Sequence, residues 1–328
     1  MEYLMPFEKR LQTKKILEKC KAQTNPKLGK MPNERSTAEL LKRGIIILNK
    51  PSGPTSHQAV DYLKRIIGTD KAGHSGTLDP GVTGVLPVAI LDATRITNSL
   101  LSAGKEYICL MHVHADVSRE LLEKVMLKDF MGTITQLPPK KSAVKRQNRQ
   151  RTIYYTEILE VKDREVLFRV GCQGGTYIRK LVHDMGLKMN CGAHMAELIR
   201  TKAGPFTEKE MVTLQDVADA FHYYKQGDET ALKKMILPIE SAVAHMKKIW
   251  VFDEAVTPIC HGSFLKVPGL VKFDSDIARN DLVAVMTLKN ELVLVGEALI
   301  SSAEMMKLEK GMAVKTTQVF MQPEVYKL

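Results

Sequence analysis

Gly73-His74-Ser75-Gly76-Thr77-Leu78-Asp79-Pro80-Gly81-Val82-Thr83-Gly84-Val85-Leu86-Pro87 is the stretch around which the chain is organised. It opens directly into the apolar run Val85–Ile90. Glycine at 73, 76, 81 and 84 lets the backbone turn through conformations closed to other residues or pass close to another chain. Pro80 stops helix formation and biases Asp79 toward extended dihedrals. A lone carboxylate is therefore held in a stiff, irregular loop, where side chains face partners. The run lacks the Lys-Ser/Thr ending of a phosphate-cradling loop. It is not a serine nucleophile elbow, because Gly76 follows Ser75 directly. His74 and Asp79 alone do not make a metal site. What remains is nucleophilic or acid–base work that needs no cofactor.

Working outward, Gly44–Leu48 reads as a β-branched strand ending in the turn Asn49–Ser56. His57–Ile67 reads as a helix, capped by Thr55 or Ser56 and stopped by Gly68. Strands are expected over Val85–Ile90, from Lys105 to His114 and over Met131–Gln136, with helices over Ala93–Leu101 and Arg119–Phe130. His112 and His114 share a strand face, but no third ligand type lies at useful spacing, so no metal site is expected. Leu137–Thr156 holds Lys140, Lys141, Lys145, Arg146, Arg149 and Arg151 and no acid. Lying between two strands, it reads as a phosphate-gripping loop. Ile153–Val161 and Glu165–Cys172 form an expected hairpin. After Gly174-Gly175, Thr176 is expected to cap a helix running to about Met189, which puts Tyr177 and Arg179 in its first turn. A cation there opposes the helix dipole, and this mismatch points to a fixed carboxylate partner.

The fifteen-residue loop resembles the signature loop of the TruB-type pseudouridine synthases, and the downstream features resemble their archaeal, dyskerin-like branch. The resemblance spans roughly residues 40–328. It implies an α+β fold, with a central, largely antiparallel mixed sheet and a small C-terminal β-barrel of the PUA kind. It implies an enzyme that turns uridine into pseudouridine in RNA without a cofactor. Asp79 would then be the nucleophile; attack on the ring, attack on the sugar and removal of a sugar proton all stay open. Arg179 matches the arginine paired with that carboxylate, and Tyr177 the active-site tyrosine. Tyr107 matches the tyrosine that stacks on the target base. Leu198, in Glu197-Leu198-Ile199-Arg200, matches the leucine lining the uracil pocket. Lys50-Pro51 matches the motif packed beneath the loop, and Lys50 and His74 would support it. Ile199 departs from relatives that carry a second basic residue there. The basic loop, residues 137–152, resembles the family's mobile thumb.

The implied organisation is a basic N-terminal arm (1–43) packing on the C-terminal domain, a catalytic domain (44–248) and a PUA-like RNA-binding domain (249–328). Within 1–43, Phe7–Lys21 reads as one amphipathic helix through Leu11, Ile16 and Leu17. In the last domain, strands are expected at Ile249–Phe252, Ser263–Val267, Leu282–Leu288, Glu291–Ala298 and Met312–Phe320. The implied partners are RNA (an H/ACA guide RNA, rRNA and tRNA), small H/ACA helper proteins and a kink-turn-binding ribosomal-type protein. Two substrates compete: a ribosomal uridine chosen by a guide, and the T-loop uridine of tRNA modified by the protein alone. A non-catalytic RNA-binding scaffold on the same fold is the reading from another class. The presence of Asp79, Tyr107, Tyr177 and Arg179 argues against it.

Composition agrees with a nucleic-acid partner. The 328 residues carry 48 Lys and Arg against 37 Asp and Glu, a formal charge of +11, which favours a polyanion. At 44% hydrophobic and 26% charged the chain is ordinary for a globular protein. The cysteines at 20, 109, 172, 191 and 260 include no Cys-x-x-Cys pair, so neither a zinc site nor a disulfide framework is expected. No apolar run approaches the ~20 residues of a membrane span. Charged residues at 2, 8, 9 and 10 interrupt any secretory apolar core. A cytoplasmic protein without membrane contact is the expectation.

Overall fold

The structure, a computed structural model, describes residues 3–138 and 147–327. The chain divides into two compact units. One comprises Ile45–Met235 and the segment ending at Pro6; the other comprises Phe7–Gly44 and Ile236–Leu328.

The first unit is built on a mixed sheet. Its strands, in spatial order, are Gly44–Lys50, Thr83–Ile90, Ala193–Ala203, Lys105–Val113, Glu165–Cys172, Arg149–Lys162 and Gly132–Gln136. All neighbours are antiparallel except Thr83–Ile90 and Ala193–Ala203, which are parallel through Thr83↔Ile199 and Gly84↔Arg200. Ala72–His74 pairs antiparallel with the end of Thr83–Ile90, through Ala72↔Ile90 and His74↔Val88. Ile45 to Leu48 are all fully buried, each contributing roughly 2 kcal/mol of hydrophobic stabilisation. A run buried on both faces suits a central position rather than a solvated edge.

Helix Ser56–Ile67 starts with a reciprocal cap: Thr55 accepts from the Gln58 amide, and the Gln58 side chain reaches back to Thr55. It stops at Gly68, whose φ of +67° is left-handed. Helix Ile178–Lys188 packs Leu181, Val182 and Met185 into a core shared with Tyr107, Cys109, Phe168 and Leu198.

Several local expectations differ from the structure. The helix expected over Ala93–Leu101 is a 3-10 turn over Leu91–Ile96 and α-helical only over Thr97–Leu101, tight 3-10 turns being frequent at helix starts. Thr176 does not cap the Ile178–Lys188 helix. Its hydroxyl donates to the Gln173 carbonyl at 2.7 Å, and Tyr177 holds the cap position. A Gly-Gly turn lets Thr176 fold back on its own backbone, which competes with capping. The segment expected as a helix through Phe130 is α-helical only over Arg119–Lys124, and Val125–Asp129 is a π-turn. In the second unit, Phe7–Lys21 is not one helix. Pro6–Thr13 is helical, whereas Ile16–Glu18 is a strand on the edge of the sheet, paired with Leu270–Asp274. Backbone groups at an open sheet edge offer Ile16 and Leu17 ladder bonds that outweigh helix periodicity.

The second unit carries a seven-stranded sheet. From the edge at Ile16–Glu18 its strands run Leu270–Asp274, Lys247–Val251, Leu282–Met286, Leu292–Ala298, Met312–Val319 and Leu265–Lys266. The basic segment is anchored within this unit. Arg10 meets the buried Asp274 at 3.3 Å, and Arg35 pairs with both oxygens of Glu240 at 2.7 and 2.8 Å. The Thr24 hydroxyl and the Asn25 amide donate to Asp253.

Candidate active site

Asp79 stands exposed at the apex of the glycine-rich loop, and the loop beneath it is cross-braced. Lys50 is fully buried at 0% exposure. Its ammonium donates to the carbonyls of Pro51, Pro80 and Val82 at 2.9, 3.0 and 2.9 Å. The Ser56 hydroxyl accepts from the Leu78 amide at 2.8 Å and donates to the Leu78 carbonyl at 3.1 Å. The Gly53 amide donates to Pro80, and Val82 closes a turn onto the Asp79 carbonyl. Desolvation lowers the Lys50 pKa, opposed by the nearby Asp79 charge. Leu78 and Val82 turn into the core on either side of the exposed carboxylate.

The carboxylate meets a partner from 100 residues away. One terminal nitrogen of the Arg179 guanidinium donates to Asp79 Oδ2 at 2.6 Å. Both side chains remain open to solvent, at 55% exposure for Asp79 and 64% for Arg179. An exposed pair of this kind adds little to stability. Its value is geometric: a charged donor aims the carboxylate.

Arg179 is placed by the start of its helix, and that start is clamped from a third element. Gln136, 2% exposed, ends the strand Gly132–Gln136. Its amide oxygen accepts from the Tyr177 backbone N–H at 3.0 Å, and its amide nitrogen donates to the Tyr177 carbonyl at 3.1 Å. The primary amide thus does for Tyr177 what a neighbouring strand would do.

Tyr107 and Leu198 come together in the core cluster that also holds Leu78, Val82 and Ile178. Tyr107 is 8% exposed, and burial raises its phenol pKa. Arg200, two residues beyond Leu198, is directly opposite Tyr107 in strand register, and its charge acts against the burial that raises the phenol pKa. Ile199 points the other way and is exposed.

His74 sits on its short strand with its ring edge-on to His57 at 4.8 Å. Burial, with the charges of His57 and Arg200 adding to it, pushes its pKa down to about 4. Its Nδ1 is buried without a hydrogen-bond partner among the described residues. Arg149 pairs in register with Gln136, and the Arg151 guanidinium lies across Gly175, two residues before Tyr177. Lys140, Lys141, Lys145 and Arg146 fall outside the described residues. The histidines at 112 and 114 are joined by His194, which hydrogen-bonds His114 at 2.9 Å, while His112 pairs with Glu165 at 2.6 Å. Among the described residues, no group of three or more His, Cys, Asp or Glu side chains is arranged to hold a metal ion. The five cysteines are free thiols. No helix among the described residues is long and apolar enough to cross a membrane.

Sequence reasoning missed Gln136, Ser56 and Arg200 as parts of this site. A glutamine at a strand end carries no local signal. Ser56 reads from the sequence as a helix cap, and an arginine inside a strand reads as a solvated side chain.

The chain is similar to known proteins along nearly its whole length. Residues 64–178 match the TruB family pseudouridylate synthase N-terminal domain, and residues 179–244 the tRNA pseudouridylate synthase B C-terminal domain. Residues 247–320 match the PUA domain and residues 6–60 the DKCLD domain. A probable tRNA pseudouridine synthase B of Pyrococcus abyssi is 52% identical over 313 residues, covering 95% of this chain and 93% of its own. The same-named protein of Nanoarchaeum equitans is 50% identical over 323 residues, covering 98% and 92%. A chain in the crystal structure of a Cbf5–Nop10–Gar1 complex superposes with a TM-score of 0.92 at 49% identity, covering 96% of this chain and 97% of that one. A chain of an H/ACA ribonucleoprotein bound to a substrate RNA containing 2′-deoxyuridine gives 0.89 at 47%, covering 96% of each.

Proposed function

Because the chain belongs to the TruB family of pseudouridine synthases, in its archaeal dyskerin-like branch, and is an RNA-isomerising enzyme, we propose that it works as the catalytic subunit of an H/ACA guide ribonucleoprotein. Its substrates are uridines of rRNA selected by a guide RNA, with the T-loop uridine of tRNA as a second target. Its partners are the guide RNA, small helper proteins of the kind seen with Cbf5, and a kink-turn-binding ribosomal-type protein. The similarity over nearly the whole chain, arm and PUA domain included, supports the guided reading. Residues 44–248 carry the chemistry, with 137–152 as the thumb over bound RNA. Residues 249–328 hold the guide, and 1–43 brace that domain. The reaction takes place in the cytoplasm.

The contact between Asp79 and Arg179 carries the catalytic assignment. Uracil must leave its ribose, turn and rejoin through carbon, which requires a base drawn out of its stack. A carboxylate, open to solvent on a rigid loop and aimed by a guanidinium, is the group that such a base meets. Tyr107 and Leu198 form the apolar side of the pocket, and Tyr107 presents its ring to the base. Tyr177, at the helix start beside Arg179, is placed for proton transfer. Lys50 and His74 hold the loop. The stretch from Arg149 to Arg151, with Lys140, Lys141, Lys145 and Arg146, grips phosphates.

The test is reconstitution with guide RNA and helper proteins, followed by mass-spectrometric counting of pseudouridine in rRNA fragments and tRNA transcripts. Guide-dependent conversion is expected on rRNA, and D79N should bind RNA and convert nothing. Conversion confined to unguided tRNA would favour the stand-alone enzyme, and turnover by D79N would remove Asp79 from the chemistry.

A further inference from the structure

Beneath the Asp79 loop lies a buried charge that does not itself touch the reacting carboxylate. Arg200 is 1% exposed and is among the largest fully buried side chains of the chain. A guanidinium stays charged in proteins, although burial pulls its pKa below the ordinary value. Among the described residues no carboxylate forms an ion pair with it. A buried cation met only by neutral acceptors carries a desolvation cost of several kcal/mol, and an apolar side chain of similar volume would ordinarily be the more stable choice.

Its partners account for its presence. The Nε donates to the Val85 carbonyl at 2.7 Å, just past the loop. The two terminal nitrogens face the Gly76 carbonyl at 3.4 Å each, just before Asp79. Tyr107 is the residue directly opposite Arg200 in strand register. One planar fork therefore joins the entry limb of the loop to its exit limb, on the strand position facing the aromatic residue of the pocket. The backbone of residue 200 presses on the same loop. Gly84 has φ of +103°, and a Cβ there would lie 2.2 Å from the Arg200 carbonyl.

We propose that Arg200 is a positioning residue for the isomerisation, its guanidinium tying together both limbs of the Asp79 loop opposite Tyr107 so that ring and carboxylate keep one spacing around the uracil. This rests on the assignment of Asp79 as the reacting carboxylate. RNA phosphates do not reach a group this deeply buried, so the role lies in turnover and not in RNA affinity.

The experiment uses the full chain assembled with guide RNA and compares R200M, R200K, Y107F and R200M/Y107F. Single-turnover pseudouridine formation at saturating RNA, RNA affinity and the urea midpoint are measured for each. R200M should slow the step by about 30- to 100-fold, because a misplacement of about 1 Å costs on that order, and should leave RNA affinity within about threefold. R200K, whose ammonium still reaches a loop carbonyl, should recover roughly five- to tenfold of the loss. In the Y107F background R200M should cost markedly less than alone, because coupled neighbours are not additive. A folded R200M with a turnover rate within about threefold of the wild type would overturn the proposal. So would losses in R200M and Y107F that simply multiply, or a turnover loss matched by an equal loss of RNA affinity. If R200M does not fold, R200K is decisive: slowed turnover with unchanged RNA affinity supports the role, and an unchanged rate refutes it. D79N, measured alongside, reports separately on the carboxylate assignment: turnover by D79N would remove that assignment while the Arg200–Tyr107 coupling is still read from the other variants.

Discussion

Replacing Lys50 with methionine keeps the length and most of the volume of the side chain and removes only its ammonium. Three carbonyls lose that donor. The Pro80 oxygen keeps the Gly53 amide, so the loss falls on Pro51 and Val82. Each acceptor left short inside the fold costs about 1–3 kcal/mol. Relief of the buried ammonium's desolvation offsets part of this. The net expectation is a destabilisation of about 2–3 kcal/mol, a large share of an ordinary folding free energy. It should be concentrated at the loop. Hydrogen–deuterium exchange of the peptide Gly73–Pro87 reads it directly, because the Val82 amide bonds within the loop to Asp79. Exchange there should quicken by roughly 30-fold or more, the equivalent of 2 kcal/mol. Turnover should fall by about 100-fold, since the carboxylate loses its fixed height. A K50M protein whose loop exchanges at the wild-type rate and whose turnover is within threefold of wild type (an effect of about 0.6 kcal/mol) would show that the ammonium does not hold the loop.

Other perturbations separate chemistry from folding. D79N and R179M break an exposed pair, so each should change stability by less than about 1 kcal/mol in urea denaturation, while D79N abolishes and R179M strongly reduces pseudouridine formation. Q136L removes both clamps on Tyr177. The Tyr177 carbonyl still accepts from the Leu181 amide at 3.0 Å, so the cost is chiefly one orphaned N–H, about 1–3 kcal/mol, with slower turnover at unchanged RNA affinity. His74 has a folded pKa near 4 against an ordinary 6.5. The unfolded chain therefore binds more protons between those values, and the stability this group contributes above pH 6.5 is lost as the pH falls toward 4. H74Q should flatten that acid limb in a pH series of urea midpoints, and an unchanged slope would show that His74 is not the group titrating.

Short-range physics made much of the chain readable. The glycine and proline pattern of 73–87 marks a rigid turn wherever it is read. Thr55, Gln58 and Gly68 bound a helix by contacts within one turn of it. Family resemblance carried Asp79, Tyr107, Tyr177, Arg179 and Leu198 because their spacing along the chain is itself the signal. The cation that opposes the dipole of its own helix pointed to an acid partner without saying which one. The errors were also local. Helix periodicity over Phe7–Lys21 gave way at Ile16 to the bonding power of a sheet edge, and Thr176 turned back to Gln173 when a Gly-Gly bend brought that carbonyl within reach.

The sequence by itself settled which residue types the site contains and which segments present them, because caps, turns and periodic faces depend on neighbours a few positions away. Tertiary structure alone decided which of them meet. Arg179 lies 100 residues from Asp79, Gln136 41 from Tyr177, and Arg200 115 from Val85 and 124 from Gly76. These contacts depend on strand order and register. The parallel pairing of Thr83–Ile90 with Ala193–Ala203 brings Arg200 beneath the loop, and that pairing is selected by burial of the whole sheet, not by any stretch of residues read alone.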